Sequence, residues 1–276
     1  MRTCLCRFAG IRRAFSVSPS GSSIDIPEVA KFSAQSSQWW SDVAHGPFAG
    51  LHRMNAVRVP IIRRALCKDF SSRRGPVHPG APLQGLELLD AGCGGGILSE
   101  ALARLGASMT GLDASAGAVA AAAAHAALDP AVSSRTRYLC SSVEDLAASG
   151  VVFDGVVCSE VVEHVAHPLR FVGSLAALVR PGGHLVLTTI NRTLPSLWGA
   201  VVAAEYLLKL VPPGTHEWGK FIKPAELAGA LGAAGCSVEL LVGLAYNPLS
   251  GQWSQTQDTS INYALVAKRG GAASGE

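Results

Sequence analysis

The chain has 276 residues, of which 49% are hydrophobic and 16% are charged, and its formal net charge is +3. This composition can build a buried core and excludes an intrinsically disordered protein. The small net charge and the absence of a long basic run argue against a nucleic-acid partner. Seven cysteines without C-x-x-C spacing predict neither a disulfide framework nor a zinc site, so a reducing compartment is expected.

Residues 1–25 have the composition of a mitochondrial transit peptide. Arginines occur at Arg2, Arg7, Arg12 and Arg13, serines are frequent, and no acidic residue precedes Asp25. A disordered basic tail is the alternative interpretation of the same composition. The sequence has no uninterrupted apolar segment of about 20 residues, so a membrane-spanning helix is not supported.

Residues 26–82 are predicted to form a helical cap and a linker. Helical sequence over 26–66 is interrupted at 42–47, and a Pro-, Gly- and Ser-rich stretch follows at 71–82. Strands and helices then alternate over 83–269, which predicts a parallel sheet with helices on both faces, and residues 270–276 form a tail. The predicted strands are 86–91, 107–113, 136–141, 153–159, 184–190, 236–243 and 262–267, and the predicted helices are 97–105, 115–128, 168–180 and 224–234.

A strand-turn-helix stretch at 86–98 points to a nucleotide-like ligand. The four glycines between residues 92 and 96 remove Cβ atoms that would hold a ligand away from the backbone. The helix behind them begins with unpaired N–H groups that favour an anion. The dinucleotide fingerprint would need a glycine at position 97, where the chain has Ile97, so a dinucleotide is not expected.

Two acidic residues narrow the ligand to S-adenosylmethionine (SAM). Asp90 precedes the glycines, and Asp113 closes the next apolar run. A carboxylate at the end of that second strand suits a ribose diol, whereas an acid in the first turn suits an ammonium and a sulfonium rather than a pyrophosphate. We therefore predict a SAM site that includes Asp90, Gly92, Gly94 and Asp113. The alternative is a tight turn of a Rossmann-like fold without a ligand.

A second polar group follows the predicted strand 153–159, at the edge of the sheet where α/β proteins bind ligands. If Glu160 begins a helical turn, Glu163 and His164 lie on the same face. Two carboxylates and an imidazole could bind Mg²⁺. Alternatively, His164 acts alone as a general base, or the group is a capped helical turn without a ligand. We predict that Glu163 and His164 are catalytic.

Residues 191–223 interrupt the alternation as an insertion after the fifth strand. An apolar helix is predicted over 196–210, which is too short to span a bilayer but suits a membrane surface or a wall over an apolar substrate. Lys209, Lys220 and Lys223 could contact anionic headgroups. An ordinary core helix explains the hydrophobicity equally well.

From about residue 29 to 268, the chain resembles the ubiquinone-biosynthesis O-methyltransferases of bacteria and mitochondria, a family of class I SAM-dependent methyltransferases. The glycine motif alone indicates only the superfamily, whereas the Leu-His-Arg, Asn-Arg, Gly-Thr-His and Tyr-Asn-Pro segments are far more specific. The segments that support the resemblance are Ala30–Phe32, Trp39–Trp40, Leu51–Asn55, Leu89–Leu98, Thr110–Asp113, Glu160–His164, Pro181–Gly183, Leu187–Arg192, Ala204–Tyr206, Pro213–His216, Lys220–Pro224 and Tyr246–Pro248.

The resemblance implies a Rossmann-like α/β fold with a seven-stranded, mostly parallel sheet and a reversed final strand. A guanidinium at Arg58 would clamp the carboxylate of the donor. The implied SAM contacts are Arg58, Gly92, Asp113 and Ser159. The implied Mg²⁺ ligands are Glu160, Glu163 and His164.

The resemblance also implies a function and a location. The expected reaction is methylation of phenolic hydroxyls on polyprenylated catechols or hydroquinones, such as polyprenyl-dihydroxybenzoate and demethylubiquinol. The expected place is the matrix side of the inner mitochondrial membrane, as a peripheral subunit of a biosynthetic complex, and the transit-like N-terminus agrees. Two other functions stay open, namely a methyltransferase of a soluble small phenol and a catalytically inactive quinone-binding or assembly subunit.

Overall fold

Alternating strands and helices build one mixed sheet with helices on both faces. The computed structural model describes residues 21–74, 78–197 and 217–271. The strands are β1 (Glu87–Ala91), β2 (Ser108–Asp113), β3 (Thr136–Cys140), β4 (Phe153–Ser159), β5 (Val179–Ile190), β6 (Cys236–Asn247), β7 (Gln252–Thr256) and β8 (Asn262–Arg269). The helices are α1 (Ile26–Ala34), α2 (Ala49–Arg74), α3 (Ile97–Arg104), α4 (Ala116–Ala126), α5 (Pro130–Ser133), α6 (Val143–Ala148), α7 (Pro168–Leu178), α8 (Leu194–Ser196) and α9 (Pro224–Ala233).

Several predicted segments lie outside the described residues. They are the transit segment up to residue 20, most of the predicted helix 196–210 together with Lys209, and residues 272–276 of the tail. Among the helices that the structure describes, none is both long enough and apolar enough to cross a membrane.

The strand order in the sheet is β3-β2-β1-β4-β5-β8-β6-β7. Strands β1 to β5 run parallel to one another, whereas β8 runs antiparallel to both β5 and β6. The reversed final strand is therefore confirmed. The sheet has eight strands in the described part of the chain rather than the seven expected.

The additional strand is β7, at one edge of the sheet. It pairs with the last part of β6, which continues to Asn247 instead of ending at residue 243. Sequence patterning missed β7 because its five residues, QWSQT, are mostly polar and include only one large apolar side chain. Backbone pairing with β6, which hydrophobic periodicity does not report, forms this strand.

Successive side chains of a strand pack into two hydrophobic cores on opposite faces of the sheet, as expected of a sheet that is covered on both faces. In β1, Leu89 packs in the core beneath α7 and α9, while Leu88 packs in the core on the other face. Helix α2 supplies Met54, Ile61 and Ile62 to that second core. Burial of each such side chain contributes about 1.5–3 kcal/mol, so α2 is a layer of the α/β fold rather than a separate cap. The helix also extends through residues 71–74, which were predicted as linker.

Candidate active site

A single pocket lies at the carboxyl ends of the neighbouring strands β2, β1 and β4. All of the residues predicted to bind SAM line it, although they come from separate parts of the chain. The strand order explains this convergence, because parallel neighbours end at the same edge of the sheet. These lining residues are Arg58, Asp90, Gly92, Gly94, Asp113 and Ser159.

The glycine turn between β1 and α3 has backbone conformations and contacts that exclude larger residues. Gly92 has a φ of 76°, and a Cβ on it would lie 2.4 Å from Cγ2 of Val161. Gly94 has a φ of 52°, and its Cβ would lie 2.4 Å from Cη2 of Trp39. Helix α3 begins after Gly96 without a side-chain cap, so the first N–H groups of the helix remain available to an anion.

The two acids of the predicted donor site are held by short hydrogen bonds. Asp113 accepts from the backbone N–H groups of Gly94 at 2.9 Å and Ser115 at 2.8 Å, and burial raises its pKa. Asp90 accepts from the hydroxyl of Ser99 at 2.6 Å, and burial raises its pKa to about 6. A ligand that brings positive charge would stabilise both desolvated carboxylates. The sulfonium and ammonium of SAM fit this requirement.

Arg58 reaches the pocket from helix α2 and contacts a second predicted SAM residue. Its guanidinium donates to Oγ of Ser159 at 2.8 Å, to Oδ1 of Asn55 at 2.8 Å and to the carbonyl oxygen of Leu51 at 3.1 Å. Only 3% of the residue is exposed. Burial lowers the pKa of Arg58 to about 10, so the group stays charged at neutral pH. It is a fixed cation on the pocket wall.

Two tryptophans hold the N-terminal segment against the glycine turn. Trp39 lines the pocket and stacks on Phe48 with 3.7 Å between ring centroids. The indole N–H of Trp40 donates to the carbonyl oxygen of Gly95 at 2.8 Å, and its ring stacks on His125. The sequence singled out the Trp-Trp pair only as part of the family resemblance, without a role. The structure shows that both rings contact the glycine turn.

The segment after β4 departs from the predicted helical turn. Glu160 has a φ of 57°, a left-handed conformation that no other non-glycine residue in the described part of the chain adopts. The helical geometry begins only afterwards, as a short 3₁₀ turn over Val162–His164. The prediction that Glu160 begins a helical turn, with Glu163 and His164 on its face, is therefore wrong.

Contacts to β5 show where the two glutamates lie. Glu160 accepts from Oγ1 of Thr188 at 2.7 Å, whereas Glu163 accepts from Oγ1 of Thr189 at 2.7 Å. The two carboxylates therefore accept from successive residues of β5 rather than from a shared partner. Glu160 lines the pocket, and Glu163 is 2% exposed and lies outside the pocket lining.

Glu160 and Glu163 are two carboxylates that interact electrostatically. Burial, followed by the nearby charge of Glu163, raises the pKa of Glu160 to about 7. The Oε1 atom of Glu163 is buried and has no hydrogen-bond partner among the residues that the structure describes. An unsatisfied carboxylate oxygen beside a second carboxylate is a feature that a cation would relieve.

His164 lines the pocket and pairs with a residue that the sequence did not single out. Its Nδ1 lies 2.9 Å from Oε2 of Glu28, on helix α1. Burial alone would lower the pKa of His164, but the hydrogen bond to Glu28 and the charge of Glu163 outweigh it, and the pKa is raised. Glu28 is 136 residues away in the chain and belongs to no motif, so no sequence signal indicated it.

The donor types fit Mg²⁺, but this conformation does not assemble them. Across the described ranges 21–74, 78–197 and 217–271, no three His, Cys, Asp or Glu side chains are grouped so that they could hold a metal ion. Two of the predicted ligands, Glu160 and His164, line the pocket, while Glu163 hydrogen-bonds Thr189.

Comparison with known proteins identifies the family. A family model described as "Methyltransferase domain" matches residues 60–241. A ubiquinone biosynthesis O-methyltransferase of a Methylobacterium species is 47% identical over 251 residues, which cover 91% of this chain and 98% of that protein. The chain belongs to the ubiquinone biosynthesis O-methyltransferase family.

Eukaryotic members of this family are similar over most of the chain. The protein named "Ubiquinone biosynthesis O-methyltransferase, mitochondrial" of Arabidopsis thaliana is 45% identical over 244 residues, covering 88% of this chain and 74% of that protein. The human protein of the same name is 41% identical over 268 residues, which cover 96% of this chain and 71% of that protein. As a member of the family, the chain is a SAM-dependent O-methyltransferase.

Solved structures confirm the methyltransferase fold at low sequence identity. Magnesium protoporphyrin IX methyltransferase of Synechocystis with bound SAM aligns with a TM-score of 0.51 and 22% identity, covering 80% of both chains. A SAM-dependent methyltransferase of Thermotoga maritima, described as a possible histamine N-methyltransferase, aligns with a TM-score of 0.55 and 15% identity, covering 88% of this chain and 98% of that one. At these identities the likeness shows the fold alone.

Proposed function

We propose that this enzyme transfers the methyl group of SAM to a phenolic oxygen of a polyprenylated catechol or hydroquinone in ubiquinone biosynthesis. The observation that supports the proposal most is that the residues predicted to bind SAM and the candidate base His164 line the same pocket. The glycine turn, Asp113 and Arg58 line its donor side, and His164 lines the same cavity. The names of the relatives support the pathway.

The reaction needs an oxygen nucleophile in line with the methyl group. The sulfonium is already activated, so catalysis depends on positioning and on removal of the phenolic proton. A phenol with a pKa of about 10 is mostly protonated at neutral pH. In the proposed step the O–CH₃ bond forms and the S–CH₃ bond breaks to leave S-adenosylhomocysteine, and, where no metal is bound, the phenolic proton passes to His164.

Binding of Mg²⁺ through His164 is the other proposed route to the phenolate, because a histidine nitrogen that binds a metal cannot also accept the phenolic proton. The candidate ligands are Glu160, Glu163 and His164, and the unsatisfied Oε1 atom of Glu163 supports a cation there. Binding by all three requires these side chains to come closer together, because no three such side chains are grouped around a metal position in the described residues. Bound Mg²⁺ would neutralise the carboxylates and stabilise a phenolate.

Mitochondrial location and membrane contact also belong to the proposal. The mitochondrial relatives and the transit-like composition support import, and exposed Leu194 and Trp218 flank the apolar segment on either side. Lys220 is already paired with Asp25 at 3.2 Å and Glu217 at 3.3 Å, so Lys223 is the better candidate for a headgroup contact. We place the enzyme peripherally on the matrix side of the inner membrane, within a biosynthetic complex.

An acceptor panel tests the substrate class. The full chain would be incubated with labelled SAM and either a prenylated catechol, the same catechol without its prenyl tail, or a prenylated monophenol. We expect methylation of the prenylated catechol, and mass spectrometry would locate the methyl group on oxygen. Equal turnover without the tail would favour a methyltransferase of soluble phenols. Failure to bind SAM would favour the inactive quinone-binding or assembly subunit.

A further inference from the structure

Glu28 and His164 form a partly enclosed pair at the pocket wall. Oε2 of Glu28 lies 2.9 Å from Nδ1 of His164, and the two side chains are only 13% and 14% exposed. An ionised carboxylate only accepts hydrogen bonds, so Nδ1 of His164 carries the proton in this contact.

Helix α1 holds Glu28 in place through contacts at both of its ends. Before the helix, the carbonyl oxygen of Ser23 accepts from the N–H of Ala166 at 2.9 Å, and Ser23 is 1% exposed. Near its C-terminal end, Oγ of Ser33 lies 2.7 Å from Oγ of Ser115. Ser23 therefore fixes α1 to the segment that immediately follows His164.

A second residue of α1 restrains the imidazole from another side. Phe32 lies one helical turn after Glu28, and its ring meets that of His164 edge to face, with 5.1 Å between centroids. A carboxylate and an aromatic edge on one helix together define the orientation of the ring. Ion pairing alone would not need the aromatic contact.

We infer that Glu28 is a positioning residue that fixes the ring orientation and tautomer of His164. With Nδ1 bound to Glu28, proton exchange with the acceptor takes place at Nε2. A carboxylate that orients a catalytic or metal-binding histidine through its other nitrogen is a recurring arrangement in enzymes. The inference depends on the proposed role of His164 in phenol methylation.

A matched pair of variants separates positioning from simple anchoring of α1. Glu28→Gln removes the charge that faces His164. Asp25→Asn removes a charge on the same segment that faces Lys220, and asparagine remains a good N-cap. We expect Glu28→Gln to lower kcat by about 10- to 100-fold while the Kd for SAM and the KM of the acceptor stay within about twofold. Asp25→Asn should leave kcat within about twofold.

Equal losses of kcat in the two variants, or a Glu28→Gln enzyme with normal kcat, would overturn the inference. A spectroscopic measurement works without any acceptor. Ring ¹⁵N shifts of His164 in the wild-type full chain, recorded at alkaline pH where the imidazole is neutral, should report the Nδ1–H tautomer, with a mixture of tautomers in Glu28→Gln. A wild-type ring without this preference would refute the positioning role even if the acceptor class were misassigned.

Discussion

The proposed donor side and the proposed acceptor side of the pocket are built in different ways. On the donor side, Gly92, Gly94 and Asp113 lie on two adjacent parallel strands and the turns that follow them, and Asp113 hydrogen-bonds the N–H of Gly94. On the acceptor side, Glu160 and His164 depend on Thr188 and Glu28, which come from distant parts of the chain. The glycine turn and Asp113 are thus placed by two adjacent strands, whereas Glu160 and His164 depend on contacts with distant residues.

This difference implies that donor binding and turnover can be separated by mutation. Changes in the glycine turn or at Arg58 should act on the affinity for SAM. Changes at His164 should act on methyl transfer while SAM still binds. We expect the largest effect on turnover and smaller effects on the affinity for SAM.

Replacement of His164 by alanine should have the largest effect. Loss of a general base typically costs 10²- to 10⁴-fold, so we expect kcat to fall by about that factor with the Kd for SAM unchanged. Steady-state methyl transfer and calorimetric SAM binding would be measured on the same samples. His167→Ala is the matched control, because this exposed imidazole lies three residues further on. Unchanged turnover in His164→Ala would remove His164 from the mechanism.

Arg58→Lys should weaken SAM binding. The guanidinium of Arg58 donates hydrogen bonds to Ser159, Asn55 and Leu51 at the same time, and a lysine ammonium cannot form all three. Loss of charge-assisted hydrogen bonds costs about 1.5–3 kcal/mol, which corresponds to a Kd for SAM about 10- to 100-fold higher. Calorimetry checks this value, and a wild-type Kd in Arg58→Lys would exclude Arg58 from the donor site.

Gly92→Ala should have a smaller effect on the same side of the pocket. The new Cβ would be strained at a φ of 76° and would lie 2.4 Å from Val161. A left-handed residue costs about 1–2 kcal/mol, so we expect a similar loss of stability and about tenfold weaker SAM binding. Gly229→Ala is the control, since its Cβ would meet nothing within 4 Å in helix α9. If both alanine variants bind SAM equally, the turn does not need Gly92.

The last prediction concerns the pH dependence of stability without SAM, and it involves neither turnover nor SAM affinity. The pKa of Asp90 is raised to about 6 by burial, above its value of about 3.9 in the unfolded chain. Between these values the folded state holds more protons than the unfolded state, so this group makes stability fall as pH rises from about 4 to about 6. We expect a decline of roughly 2 kcal/mol that Asp90→Asn lacks. Urea unfolding across this range compares the two proteins, and parallel curves would contradict the prediction.

Local sequence pattern indicated Asp90, the glycine turn and Asp113, whereas Arg58 and Ser159 were indicated only by the family resemblance. All of them line one pocket, and their contacts with SAM stay a prediction. Glycine is needed wherever φ is positive and a neighbour approaches closely, and an acid at a strand end marks a ligand position. Apolar runs likewise located β1, β2 and β4, whose ends form the pocket. The comparisons confirmed the family that the resemblance named.

The acceptor side was harder to predict because its residues are placed by partners far away in sequence. Spacing alone put Glu160 and Glu163 on one helical face, but the backbone at Glu160 is left-handed, and the two carboxylates accept from different hydroxyls, those of Thr188 and Thr189. Glu28 has no motif that could have indicated its contact with His164. Such contacts follow from the packing of α1 against the sheet rather than from local pattern.

We propose that donor binding and acceptor activation share a pocket but use separable residues. The most direct test measures the Kd for SAM and single-turnover methyl transfer to a prenylated catechol on the same wild-type samples, after chelation and after Mg²⁺ is added back. We predict that methyl transfer is lost on chelation and restored by Mg²⁺, while the Kd for SAM stays constant. A Kd for SAM that changes with Mg²⁺ as much as methyl transfer does would contradict the claim, and methyl transfer unaffected by chelation would remove the metal from the mechanism.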